Sequence, residues 1–101
     1  MLLLRSRDRT PLVASWMHPA ETLTFRPDGT MTETWHQKDN TGHLDRRWYR
    51  AGDEIYIEGA VGYNQWLRCH WQITSDRNKL TLVKYYEDGE VLTREYLRAS
   101  P

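Results

Sequence analysis

The stretch Leu23-Thr24-Phe25-Arg26-Pro27-Asp28-Gly29-Thr30-Met31-Thr32-Glu33-Thr34-Trp35 decides the fold. Apolar and polar residues alternate, stop at Pro-Asp-Gly, and alternate again. A period of two means a strand with one buried face. Pro27 presets φ for a turn and Gly29 accepts the left-handed conformation, so the two strands fold back as a hairpin. The same pattern runs to the C-terminus. Turn signals at His18-Pro19, Pro27-Asp28-Gly29, Asp39-Asn40-Thr41-Gly42, Gly52-Asp53, Asp76-Arg77-Asn78 and Asp88-Gly89 separate eight predicted strands, over residues 12–17, 21–26, 30–36, 43–50, 54–58, 66–74, 80–86 and 91–98. Short strands with such punctuation predict an all-β fold, a small antiparallel meander closed into a barrel. The one long connection, residues 59–65, has two glycines and is either a lid over an open end or a wide loop.

A chain of 101 residues is one domain. Residues 1–10 carry Arg5, Arg7 and Arg9 without periodicity and read as a loose arm; residues 11–101 read as a single barrel domain. The 14 basic and 14 acidic side chains cancel, which argues against a dedicated nucleic-acid binder. Apolar content is 39%, below the roughly 45–50% of ordinary domains, and five Trp and six Tyr compensate. Cys69 is the only cysteine, so no intrachain disulfide can form, and the cytoplasm is the expected compartment. No run approaches membrane-spanning length.

Pairing the hairpins assigns faces, because opposite residues share one. A two-residue turn at Gly52-Asp53 sets Ala51 against Glu54, Arg50 against Ile55, Tyr49 against Tyr56, Trp48 against Ile57 and Arg47 against Glu58. Across a loop at 37–42, Trp35 is expected opposite Leu44, Glu33 opposite Arg46 and Met31 opposite Trp48, with Phe25 meeting Met31 on the same inner face. In the second half, Leu67, Cys69, Trp71 and Ile73 read as inward, followed by Leu80, Leu82, Lys84 and Tyr86. A two-residue turn at Asp88-Gly89 then brings Val91, Thr93, Glu95 and Leu97 inward. It leaves Val83, Tyr85, Leu92 and Tyr96 as an outer apolar patch, but it also sets Glu87 against Glu90, so a longer turn is an alternative. A one-residue slip would exchange the two sets.

The order Val13-Ala14-Ser15-Trp16, the Pro-Asp-Gly hairpin, Trp48 before Gly52-Asp53-Glu54-Ile55-Tyr56-Ile57, Leu80-Thr81-Leu82 and Tyr96-Leu97-Arg98 resembles the short bacterial lipocalin-like domains of the calycin group over about residues 12–98. The resemblance implies an up-and-down eight-stranded barrel, sometimes a carrier of small hydrophobic molecules. It also implies that Trp16 seals the barrel floor beneath an arginine of the last strand, Arg98 or Arg94. Two departures stand out: Ala14 replaces the family's usual glycine, and the chain is much shorter than secreted lipocalins.

Eight strands leave an interior that side chains fill or that holds one small ligand. Glu33, Trp35, Arg46, Trp48, Trp71, Lys84, Tyr86 and Glu95 are the expected lumen residues, with Glu33–Arg46 and Lys84–Glu95 as inward ion pairs. Such pairs favour a wet cavity, since a dry core bears buried ions at a cost of several kcal/mol each. The alternative is a filled barrel acting as an interaction or homodimerisation module through Val83, Tyr85, Leu92 and Tyr96. His36 and His43 are expected to face each other, but no histidine spacing points to a metal, and no cofactor motif occurs. There is no nucleophile elbow or P-loop, and Glu33 alone is a thin basis for catalysis. The expectation is therefore a non-enzymatic binder of an unknown small molecule, with no nucleic-acid or membrane partner.

Overall fold

Each alternating segment becomes a strand, and each glycine- or aspartate-bearing break becomes a turn. The computed structural model describes residues 11–59 and 66–99. Its strands are β1 (Ser15–His18), β2 (Glu21–Phe25), β3 (Thr30–Gln37), β4 (Asn40–Ala51), β5 (Glu54–Glu58), β6 (Trp66–Ile73), β7 (Lys79–Tyr85) and β8 (Val91–Arg98). Each pairs antiparallel with the next, and β8 pairs with β1, so the sheet closes as an up-and-down barrel. The possible lid at 59–65 lies outside the described residues apart from Gly59. No helix among the described residues is long and apolar enough to cross a membrane.

The topology distinguishes two ends. The β2–β3, β4–β5 and β6–β7 turns share one end with the entry to β1; the other four connections share the opposite end. The first end is packed as a floor. Trp16 is wholly buried and donates its indole N–H to the Leu12 carbonyl at 3.0 Å. Its backbone partner on β8 is Arg98. Trp48 donates to the carbonyls of Arg26 and Thr30 at 3.2 and 3.1 Å, and its ring meets Phe25 edge-on at 5.0 Å. Both flanks of the Pro-Asp-Gly turn are thereby tied to the core, with Gly29 at φ +91° as the turn requires.

The β4–β5 register is the expected one. The β3–β4 register differs by two residues: Met31 faces Arg46, Glu33 faces Leu44 and Trp35 faces Gly42. The strands run on to Gln37 and Asn40, so the turn is Lys38-Asp39 and not the longer loop. A shift of two slides the partners but leaves every side chain on its face. His36 consequently meets Thr41 and bonds the Thr22 hydroxyl, and does not face His43.

The β7–β8 register differs by one, and the consequences are larger. Tyr85 pairs with Val91, and Tyr86 N–H donates to the Glu90 carbonyl at 2.9 Å across a three-residue turn with Gly89 at φ +92°. This is the hairpin form in which a left-handed glycine closes the turn, and it spares Glu87 and Glu90 from direct opposition. The faces of β8 are exchanged. Tyr96 is wholly buried and Leu92 sits opposite Lys84, whereas Glu95 is exposed and Val91 and Leu97 are 59% and 60% exposed. The expected outer patch therefore does not form: of its four residues only Val83 and Tyr85 face outward. The Lys84–Glu95 pair does not form either.

Candidate functional site

The mouth end is polar where the floor is apolar. Glu21 opens β2 on the same side as Leu23 and Phe25, so strand alternation drives its carboxylate inward, 5% exposed. A buried carboxylate needs partners. Three groups from β7 and β8 converge on its Oε2: Arg94 Nη1 donates at 2.9 Å, Tyr96 donates its hydroxyl, and Lys84 Nζ lies at 3.7 Å. Burial alone would push the Glu21 carboxyl up. The Lys84 charge and the hydrogen bonds from Tyr96 and Arg94 outweigh it, and the group stays below its ordinary value. Burial and the adjacent Glu21 push the Tyr96 hydroxyl well up, so it serves as a donor. Glu21 is thus an ionised anchor and not a proton source at neutral pH.

Beside this cluster, Arg46 on β4 reaches Glu33 Oε1 with its Nε at 3.0 Å. Its Nη1 donates to the carbonyls of Glu58 and Gly59 at 3.0 and 2.8 Å, satisfying backbone acceptors where β5 ends. The expected Glu33–Arg46 ion pair is therefore present, although the residues are diagonal and not opposite.

Between the two clusters is a cavity of about 170 Å³. Leu23, Met31, Ile57 and Leu67 form its apolar wall; Glu33, Arg46 and Lys84 supply its charges; Tyr86, Glu58 and Gly59 stand at the rim. Lys84 is 8% exposed, and its ammonium makes no hydrogen bond among the described residues. Cys69, opposite Lys84 on β6, has its thiol pushed up to about 12 by burial and is a neutral core group.

Four expected lumen residues, Glu33, Arg46, Lys84 and Tyr86, meet at this cavity. The other four lie elsewhere. Trp35 lies flat over Gly42, where a Cβ would come within 2.3 Å of its ring. Trp48 belongs to the floor, Trp71 packs on the core beneath the Arg50 guanidinium, and Glu95 is outside. Sequence reasoning missed Glu21, and it offered Arg94 only as an alternative to Arg98 above Trp16, whereas Arg94 binds Glu21. The signal for Glu21 was its alternation with Leu23 and Phe25; that for Arg94 required the three-residue turn.

Outside the barrel, one cross-strand row runs Tyr49, Tyr56, Arg68, Tyr85. The two tyrosines stack at 4.9 Å, Trp66 meets Tyr49 edge-on, and Arg68 lies 4.2 Å over Tyr85. Near the β4–β5 turn, Asp53, Glu54 and His70 bring one ligand-type atom each within 4.8 Å of one another. Arg68 holds the other Glu54 oxygen at 2.7 Å, placing a positive charge beside any cation there. Comparison with known proteins adds no relative, since no family model, no curated protein and no solved structure matches this chain.

Proposed function

We propose that the protein is a non-enzymatic binder of a small molecule, taken up through the mouth end into a partly polar lumen. The observation that carries this reading is a cavity of about 170 Å³ whose lining joins apolar side chains to Glu33, Arg46 and Lys84. The closed barrel with Trp16 packed at the floor supports a lipocalin-like grouping with the bacterial domains of that type. The free buried thiol of Cys69 supports a cytoplasmic setting.

Native mass spectrometry of protein purified without refolding tests the reading. A small-molecule adduct is expected on the wild type and lost from Leu67→Trp, which fills the cavity. Wild-type protein that carries no adduct, and takes up none of a panel of small acids, amides and amines, overturns it.

The outer row favours a second reading, a module for protein interaction or homodimerisation. Tyr49 and Trp66 are 43% and 39% exposed and stand together on one face, as aromatic residues do at interfaces. Sedimentation of wild type and Trp66→Glu decides it: a dimer that becomes a folded monomer supports the module, and a wild-type monomer at high micromolar concentration removes it.

A further inference from the structure

We infer that the lumen takes a small organic monocarboxylate, its head held by Lys84 and its body by the Leu23, Met31, Ile57 and Leu67 wall. The inference rests on the lumen reading above and adds the charge and size of the ligand.

Charge comes first. Among the described residues, Arg46, Lys84 and Arg94 face inward with Glu21 and Glu33, and Glu58 at the rim is taken by Arg47. Arg46 is matched by Glu33, and Arg94 by Glu21. Lys84 is left with a 3.7 Å contact to a Glu21 oxygen that already accepts from Arg94 and Tyr96. Cys69 and Tyr96, the other titratable groups beside it, are neutral, since burial pushes both up. Among the described residues, inward cations therefore exceed inward carboxylates by one. Buried charges persist when paired and hydrogen-bonded. A carboxylate at the cavity offers the ammonium the acceptors that the described protein groups do not.

Size comes second. A cavity of about 170 Å³ is close to one of about 150 Å³ that takes up a benzene ring. A single ring or a short branched chain fits, and a long acyl chain does not. Apolar and charged side chains both line the cavity, so a ligand with a charged head and an apolar body can use both.

Isothermal titration of the full chain with benzoate, benzamide and benzylamine tests this, because the three share a ring and differ in charge. Benzoate is expected to bind at least about tenfold tighter than either of the others, the usual scale of a charge-assisted hydrogen bond. Lys84→Met should remove that advantage. Leu67→Trp should abolish benzoate binding while keeping every charge. Benzamide or benzylamine binding as tightly as benzoate overturns the monocarboxylate and leaves the lumen reading standing. Benzoate binding that survives Leu67→Trp places it outside the barrel and overturns the inference. No binding of any probe at millimolar concentration overturns both. The wild-type series decides the matter even where Lys84→Met fails to fold.

Discussion

Tyr96 on the last strand donates its hydroxyl to the Glu21 carboxylate on the second, joining strands 75 residues apart across the barrel interior. The bond is buried at both ends, with Tyr96 0% and Glu21 5% exposed. Tyr96→Phe keeps the ring and removes the donor. It should destabilise by about 1–3 kcal/mol, the cost of an unmatched buried acceptor with a charge. Chemical denaturation of wild type and variant measures it; equal midpoints with equal slopes would exclude the bond.

The same carboxylate predicts a pH dependence. Its folded value lies below the ordinary one, so the unfolded chain binds the proton more readily. The stabilisation is fully present above the unfolded value of about 4.3 and is lost as pH falls through the lower folded value. Melting temperature should therefore fall on acidification below that point. Glu21→Gln should flatten this limb of the profile while lowering stability at neutral pH. An acid limb of unchanged steepness in the variant would assign the effect to other groups.

Trp16 is a stability residue at the floor. It is wholly buried and its indole N–H is satisfied by Leu12. Trp16→Ala should cost roughly 3–5 kcal/mol, as for other buried aromatics. Since Trp16 does not line the cavity, ligand binding at temperatures where the variant is folded should be unaffected. A variant that melts like wild type would refute the assignment.

Glu33 and Arg46 should couple, but less than a fully buried pair, because their side chains keep 23% and 16% exposure. A double-mutant cycle with Glu33→Gln and Arg46→Met should return about 1–3 kcal/mol, between the exposed and buried limits. Arg46→Met alone should cost more than the coupling, since it also abandons the carbonyls of Glu58 and Gly59. Zero coupling would mean that the pair is a surface contact.

Much of this was legible in the residues. The Pro-Asp-Gly hairpin and the β4–β5 register follow from alternation and from turns with one sensible length. The β3–β4 turn is ambiguous because Asp39, Asn40 and Gly42 all favour turns, so its length could not be read locally. The faces survived that ambiguity, and Glu33 and Arg46 were still placed together. At Asp88-Gly89 the turn length decided the faces, and the glycine signal is the same for two residues or three. That is why Tyr96 was assigned outward and Glu95 inward. Glu21 was overlooked because a charged residue at a strand's first position usually lies at the solvated margin. Its burial depends on Arg94 and Tyr96, more than seventy positions away, and no local pattern carries that information.

The three-residue turn after Tyr86 also constrains how this chain can change in length. Tyr96 stays inward only while Tyr86 pairs with Glu90; a slip of that pairing by one residue would swap the tyrosine that holds Glu21 for the neighbouring Glu95 or Leu97. Two residues gained or lost at the Lys38-Asp39 turn would only slide one strand along its neighbour. Changes of length in such a barrel are therefore tolerated where the pair that closes the turn is kept or slips by an even number of residues. Related chains should keep the pair that closes this hairpin, whatever the length of its turn.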